Sequence, residues 1–274
     1  DSEKLFGGKQ SFAGRYGRTR SSLEHKRPPS DKERAAAASI GRMLEKAKYH
    51  DRIVTEHRSA VPPGKMRMQA VMQGHIERSR GAISTVEPFK NKRRHHAIDP
   101  DLTMGVLVDI SGSMSSAMEP MGVTAWMMSD AARRIEARCA MVYYGNSVFP
   151  ALRVGQKLDD VRIYSAPDST EEFDPAFRAL DGQLNLLHGS GARLLVIVSD
   201  MAYRDDVEPK ALNWIERCSQ SGVGVLILPY DNGAYVRPYR RVPGIQVING
   251  ALDPVATAGA IGTAAVKALE AASR

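Results

Sequence analysis

The feature that most constrains this chain is an alternation in its last two-thirds. Uninterrupted apolar runs, Leu102–Val108, Ala140–Tyr144, Leu194–Val198 and Val223–Leu228, are separated by stretches of helical length. A strand that is apolar throughout has to be covered on both faces, whereas a half-exposed strand alternates apolar with polar residues. The intervening segments, 116–138, Glu172–Leu187, Glu208–Gln220 and Pro254–Ala272, carry the helical spacing that supplies such cover. Val148–Val154, Val161–Tyr164 and Ile245–Ile248 add short strands. The pattern predicts an α/β fold with a doubly wound, mostly parallel sheet. Sheets of this kind bind ligands beyond the carboxyl ends of their strands, so those ends are where function is sought.

The first hundred residues differ in kind. They hold 22 Lys and Arg against 11 Asp and Glu, a balance of +11, while residues 101–274 carry −4. This reads as a basic, partly helical extension over 1–100 followed by the α/β domain over 101–274. Glycines and the pair Pro28-Pro29 leave residues 1–30 irregular. Ser30 and Glu33 have capping-box spacing and open a helix to about Arg52, with Ile40, Met43, Leu44 and Ala47 on one face. A second helix is expected over Lys65–Arg80, then an extended basic segment containing Lys90, Lys92, Arg93 and Arg94. Cys139 and Cys218 do not make a disulfide framework and read as reduced packing residues. No apolar run is long enough for a membrane span, and Asp1-Ser2-Glu3-Lys4 does not begin a secretory signal, so the expected location is cytoplasmic.

The chemistry concentrates where the first apolar run ends, at Val108-Asp109-Ile110-Ser111-Gly112-Ser113-Met114. Three oxygen-bearing side chains at alternate positions would project above the sheet, and Gly112 permits a tight turn. Carboxylate and hydroxyl oxygens suit a hard divalent cation. Mg²⁺ wants six oxygens, so other strand ends and water would have to complete the shell.

Asp109-x-Ser111-x-Ser113 after a buried strand resembles the metal-ion-dependent adhesion site of von Willebrand factor A-type (VWA) domains. The likeness covers roughly 102–274. It implies a VWA/Rossmann-like fold and a bound Mg²⁺, or Mn²⁺ or Ca²⁺. Val196-Ile197-Val198-Ser199-Asp200 is similar to the family's third loop, with Met201 where a glycine is usual. For the second loop Thr170 fits best, although Asp168, Ser169 and Glu172 are alternatives and the usual paired glycines are absent. The resemblance implies direct metal contacts from Ser111, Ser113 and Thr170, and contacts largely through water from Asp109 and Asp200. One coordination position would stay open for a partner's Asp or Glu.

Neither a Ser/His/Asp triad, a phosphate loop nor a zinc spacing is evident, so no enzymatic activity is expected of the chain alone. Asp205-Asp206 reads as the solvated start of a helix, His95-His96 as a solvated pair, and the methionines from Met104 to Met128 as core filler. The combination of a basic extension and a C-terminal domain is similar to intracellular bacterial or phage VWA proteins, such as the cobalt and magnesium chelatase subunit and partners of MoxR-type AAA+ ATPases. The leading expectation is a non-catalytic interaction subunit that captures an acidic residue of a protein partner. Alternatives are a nucleic-acid- or virion-associated protein using Lys90, Lys92, Arg93 and Arg94 on phosphates, or a chelatase subunit.

Overall fold

The computed structural model describes residues 12–13, 22–48, 53–62, 64–81, 83–95, 102–165, 170–230, 233–248 and 253–272. In chain order the elements are β1 (Phe12–Ala13), β2 (Ser22–Arg27), α1 (Asp31–Lys48), β3 (Ile53–Ser59), β4 (Lys65–Met66), α2 (Met68–Ser79), β5 (Phe89–His95) and β6 (Leu102–Asp109). A 3₁₀ turn over Gly112–Ala117 leads into α3 (Met118–Arg134), then β7 (Arg138–Tyr144), β8 (Ser147–Leu152), β9 (Val161–Ser165) and α4 (Phe173–Leu184). The chain ends with β10 (Ala192–Val198), α5 (Glu208–Gln220), β11 (Gly224–Leu228), β12 (Gln246–Val247) and α6 (Ala258–Ala272).

The central sheet runs β1-β8-β7-β6-β10-β11-β12. β7, β6, β10, β11 and β12 are mutually parallel, and β8 and β1 add an antiparallel edge. Taken from β6 onward and leaving out β9, the strands stand in the order 3-2-1-4-5-6, that of a doubly wound sheet. The side chains alternate between two cores. Val106, Val108, Met141, Tyr143, Val196 and Leu226 face α1, α3 and α6, whereas Leu107, Val142, Tyr144, Ile197 and Ile227 face α4 and α5. This two-sided burial is why the strands are apolar throughout. Close approach also fixes glycines. A Cβ on Gly122 of α3 would meet the Arg162 carbonyl oxygen of β9 at 2.6 Å, and one on Gly224 of β11 would meet the Ala268 backbone of α6 at 2.7 Å.

The chain divides into two compact units, residues 1–48 with 101–274, and residues 49–100. The sequence pattern alone suggests one boundary near residue 100, but the helix α1, which lies before it, falls in the unit of the sheet. Ala36, Ala37, Ile40 and Leu44 are buried in the same core as α3 and α6, so α1 belongs with the sheet. Its apolar stripe is what the sequence showed; the surface it covers was not visible there. The expected irregularity of 22–30 also changes, because β2 pairs antiparallel with β9 and delivers the chain to α1. Ser30 and Glu33 do form the reciprocal cap: the Ser30 N–H donates to Glu33 Oε2 at 2.7 Å and the Glu33 N–H to Ser30 Oγ at 3.3 Å.

The unit 49–100 is a three-stranded antiparallel sheet, β3-β5-β4, with α2. Strand β3 was not anticipated. Within this unit Ala70 and Gly74 are the buried residues among the described side chains, while Val61, Met66, Met68, Met72, Ile76 and Ile83 are exposed. Among the described residues no helix is long and apolar enough to cross a membrane.

Candidate metal centre

The doubly wound order changes direction between β6 and β10, the place where sheets of this kind bind ligands beyond the strands' carboxyl ends. Asp109 is the last residue of β6, and Ser199-Asp200 directly follows β10. The strand register sets Val108 beside Val198, so the first and third loops leave the sheet side by side. The expected residues Asp109, Ser111, Ser113 and Asp200 therefore meet at the switch point.

Asp109 is fully buried, with both oxygens engaged. Oδ1 accepts the Ser111 N–H at 2.9 Å, which shapes the turn, and Oδ2 accepts the Ser199 hydroxyl at 2.7 Å. Burial pushes its pKa up to about 7 despite those hydrogen bonds, and the nearby Asp200 charge adds to the rise. Ser111 is buried and Ser113 exposed, with their hydroxyl oxygens 3.1 Å apart. The Asp200 N–H donates to Met114 Sδ at 3.2 Å, and Asp200 Oδ1 accepts the Ala202 N–H at 3.0 Å. Met114 is thus core filler that also props the third loop; Met104, Met121, Met127 and Met128 are buried core residues too.

Met201 has φ +61°, the left-handed region in which a glycine would be unstrained. Its side chain is buried and its N–H donates to Ser199 Oγ at 2.9 Å. The third loop thus keeps a glycine's backbone conformation while using the side chain for packing.

The second loop is pinned by the Glu172 N–H, which donates to the Gly145 carbonyl at 2.8 Å, one residue beyond Tyr144, the β7 partner of Asp109. Thr170 Oγ1 is buried without a hydrogen-bond partner. Asp168 and Ser169, the alternatives raised for this loop, lie outside the described residues, and Glu172 is half-buried. The residue that sequence reasoning missed is Glu171. It is buried, it feels the charges of Asp109 and Asp200, and its carboxylate accepts a hydrogen bond from the Arg204 main chain. Its Oε2 is buried without a partner, and burial first, then Asp109, raises its pKa to about 7. In the sequence Glu171 is one acid among several beside a predicted helix start, and nothing there singles it out. Tyr144 and Tyr203, whose hydroxyls lie 2.6 Å apart, wall the Asp109 side of the site.

Buried hydroxyl and carboxylate oxygens left without hydrogen-bond partners suit a hard cation, because each costs free energy unless a partner or a metal engages it. Thr170 Oγ1 and Glu171 Oε2 are such atoms, so the residues fit Mg²⁺ or Mn²⁺. Among the described residues no three His, Cys, Asp or Glu groups form a cluster able to hold a metal alone. A cation here would therefore depend on the serine and threonine hydroxyls.

The other expected residues lie elsewhere. Lys90, Lys92, Arg93 and Arg94 fall on β5 in the unit 49–100; Lys90 is half-buried and its backbone pairs with that of Lys65 of β4. His95 ends β5 and His96 is outside the described residues. Asp205 and Asp206 are exposed before α5, as expected. Cys139 and Cys218 are free and buried, and burial pushes both thiols up, Cys139 to about 12.

No known family model and no curated protein sequence matches the chain. Among solved structures it is similar to the manganese-loaded TRAP protein of Plasmodium vivax, at 15% identity and TM-score 0.42, over 59% of this chain and 72% of that one. It is also similar to an aerotolerance-related membrane protein of Bacteroides fragilis, at 12% identity and TM-score 0.40, over 62% and 98% of the two chains. A third likeness is to the conserved hypothetical protein BatB of Bacteroides thetaiotaomicron, at 12% identity and TM-score 0.31, over 47% and 66%. With likenesses this distant, the strand order and the side chains above carry the reading of fold and site.

Proposed function

We propose that this chain is a non-catalytic, metal-dependent protein-interaction subunit of the VWA type. Asp109, Ser111, Ser113, Thr170 and Asp200 would hold a divalent cation, Mg²⁺ or Mn²⁺, at the switch point of the sheet. The observation that carries this is the gathering of Asp109, Ser111, Ser113 and Asp200 at the switch point of a doubly wound sheet, with the unsatisfied Thr170 hydroxyl on the loop tied to the end of the neighbouring strand β7. Hydroxyl ligands leave the cation's charge largely uncompensated, and Ser113 is exposed, so an Asp or Glu from a partner gains strongly by joining the shell. By the sequence resemblance, that partner is an AAA+ ATPase of the MoxR type or its substrate, with a chelatase assembly the weaker variant. On this reading the site binds a partner and does no chemistry of its own.

Binding of the cation should stabilise the fold. At a hundredfold excess over Kd the gain is about 2.7 kcal/mol, which raises Tm by roughly 5–10 °C. Ser113→Ala, an exposed change that leaves the core alone, should remove most of that rise, and Asp109→Ala all of it. Partner capture from the native host should vanish with EDTA and with Ser113→Ala. Capture that survives both treatments on folded protein would sink the metal-bridge reading.

A second reading draws on the +11 balance of residues 1–100 and on Lys90, Lys92, Arg93 and Arg94 sharing strand β5. If that segment binds nucleic acid, affinity should fall steeply with salt and drop on neutralising these four residues. Binding that is absent or indifferent to salt removes this reading.

A further inference from the structure

We propose that Glu171 is an inner-shell ligand of the cation, so that the second loop contributes a carboxylate as well as the Thr170 hydroxyl. This rests on the metal reading above, and it changes what that site offers a partner.

Three observations place it there. The Glu172 N–H holds the loop to Gly145 at the end of β7, and Tyr144 of β7 stands in register with Asp109. The loop that carries this buried acid is therefore tied to the carboxyl end of the strand next to that of Asp109. Second, the Glu171 side chain is 7% exposed, and its charge interacts with those of both Asp109 and Asp200. Third, the Arg204 main chain engages its carboxylate, whereas Oε2 is buried with no hydrogen-bond partner. The Arg204 charge offsets part of the repulsion from the two acids, but a buried carboxylate oxygen with no donor stays costly unless a cation engages it directly. Glu171 is also not a surface acid at a helix N-terminus. The helix start is the next residues along, and exposed positions there would serve the dipole equally well.

The consequence concerns both affinity and partner chemistry. With serine and threonine hydroxyls alone the bound ion keeps both its charges, and the site binds weakly until a partner carboxylate arrives. With Glu171 in the shell one direct ligand is anionic, beside the Asp109 and Asp200 charges that act through water. The site then holds its cation more firmly without a partner, and the open position accepts one further carboxylate as a direct ligand. A second acidic group from the partner would be repelled by Asp109, Glu171 and Asp200. The partner motif is therefore a single Asp or Glu presented without acidic neighbours.

The test uses the full chain and Mn²⁺ alone, followed by calorimetry and by the electron paramagnetic resonance spectrum of the bound ion. Glu171→Gln should raise the Mn²⁺ Kd at least about tenfold, while the metal-free protein melts no lower than the parent because a buried charge has gone. Should Glu171→Gln fail to fold, Glu171→Asp decides, since it keeps the charge and withdraws the oxygen by one methylene. Loss of affinity in Glu171→Asp supports direct ligation. An unchanged Mn²⁺ Kd in Glu171→Gln, with Ser113→Ala still impaired, overturns the role of Glu171 and leaves the metal reading standing. A parent protein that binds no Mn²⁺ overturns both.

Discussion

At the scale of single residues, the site combines strain with burial. Met201 occupies a left-handed conformation that costs a non-glycine residue roughly 1–2 kcal/mol, yet its side chain packs in the α4/α5 core. Glycine would relieve the backbone and lose the packing. Alanine would lose most of the packing and keep the strain. Met201→Gly is therefore expected to destabilise less than Met201→Ala by about 1 kcal/mol in urea unfolding, reversing the order usual for an ordinary backbone position. If alanine is the milder change, the left-handed conformation is not maintained in solution. Asp109, Ser111, Ser113 and Asp200 were legible from sequence because each sits at a strand end, and strand ends follow from the apolar runs. Glu171 was not legible. Its neighbours in sequence, Glu172 and Asp174, are also acidic, and only the packing of the second loop against Gly145 distinguishes one from the others.

At the scale of elements, α1 shows how a correct local reading can carry a wrong allegiance. The Ser30/Glu33 cap is reinforced by Arg27 of β2, whose guanidinium bonds both Glu33 oxygens at 2.9 and 2.7 Å. The Arg27 hydrogen bonds hold the Glu33 carboxyl below the usual glutamate range, against a rise from burial. A group whose pKa is lowered on folding stabilises above its unfolded value and loses that contribution as pH falls through the folded one. Stability from this cap should thus be intact at neutral pH and decline on acidification below the ordinary glutamate range. Glu33→Gln should flatten that part of the pH–stability curve and cost about 1 kcal/mol at pH 7. An acid limb of unchanged slope would remove Glu33 from the account. Ile40→Ala or Leu44→Ala should each cost about 2–5 kcal/mol of the stability of the sheet unit, since both side chains are fully buried. A helix belonging to a separate extension would show no such cost.

At the scale of the whole molecule, the two units differ in how much they bury. The described side chains of 49–100 are mostly exposed, with three apolar residues, Met68, Met72 and Ile76, on one face of α2. The sheet unit instead has two continuous cores, one on each face. Local opening follows buried apolar contact, so amide exchange should be markedly faster in β3, β5 and α2 than in β6 and β10. Equal protection in the two units would contradict this.

The sequence by itself determined the α/β class, the strands from Leu102 onward and most helix positions, because two-sided burial writes itself into uninterrupted apolar runs and helical period into spacing. It also located the first and third loops of the candidate site, since those loops begin where the runs end. Only the tertiary structure decided that α1 seals the sheet, that β2 pairs with β9, and that Glu171 is buried with an oxygen left unpartnered. Each of these depends on contacts between residues far apart in the chain, and no periodicity within a segment records which distant surface it will meet.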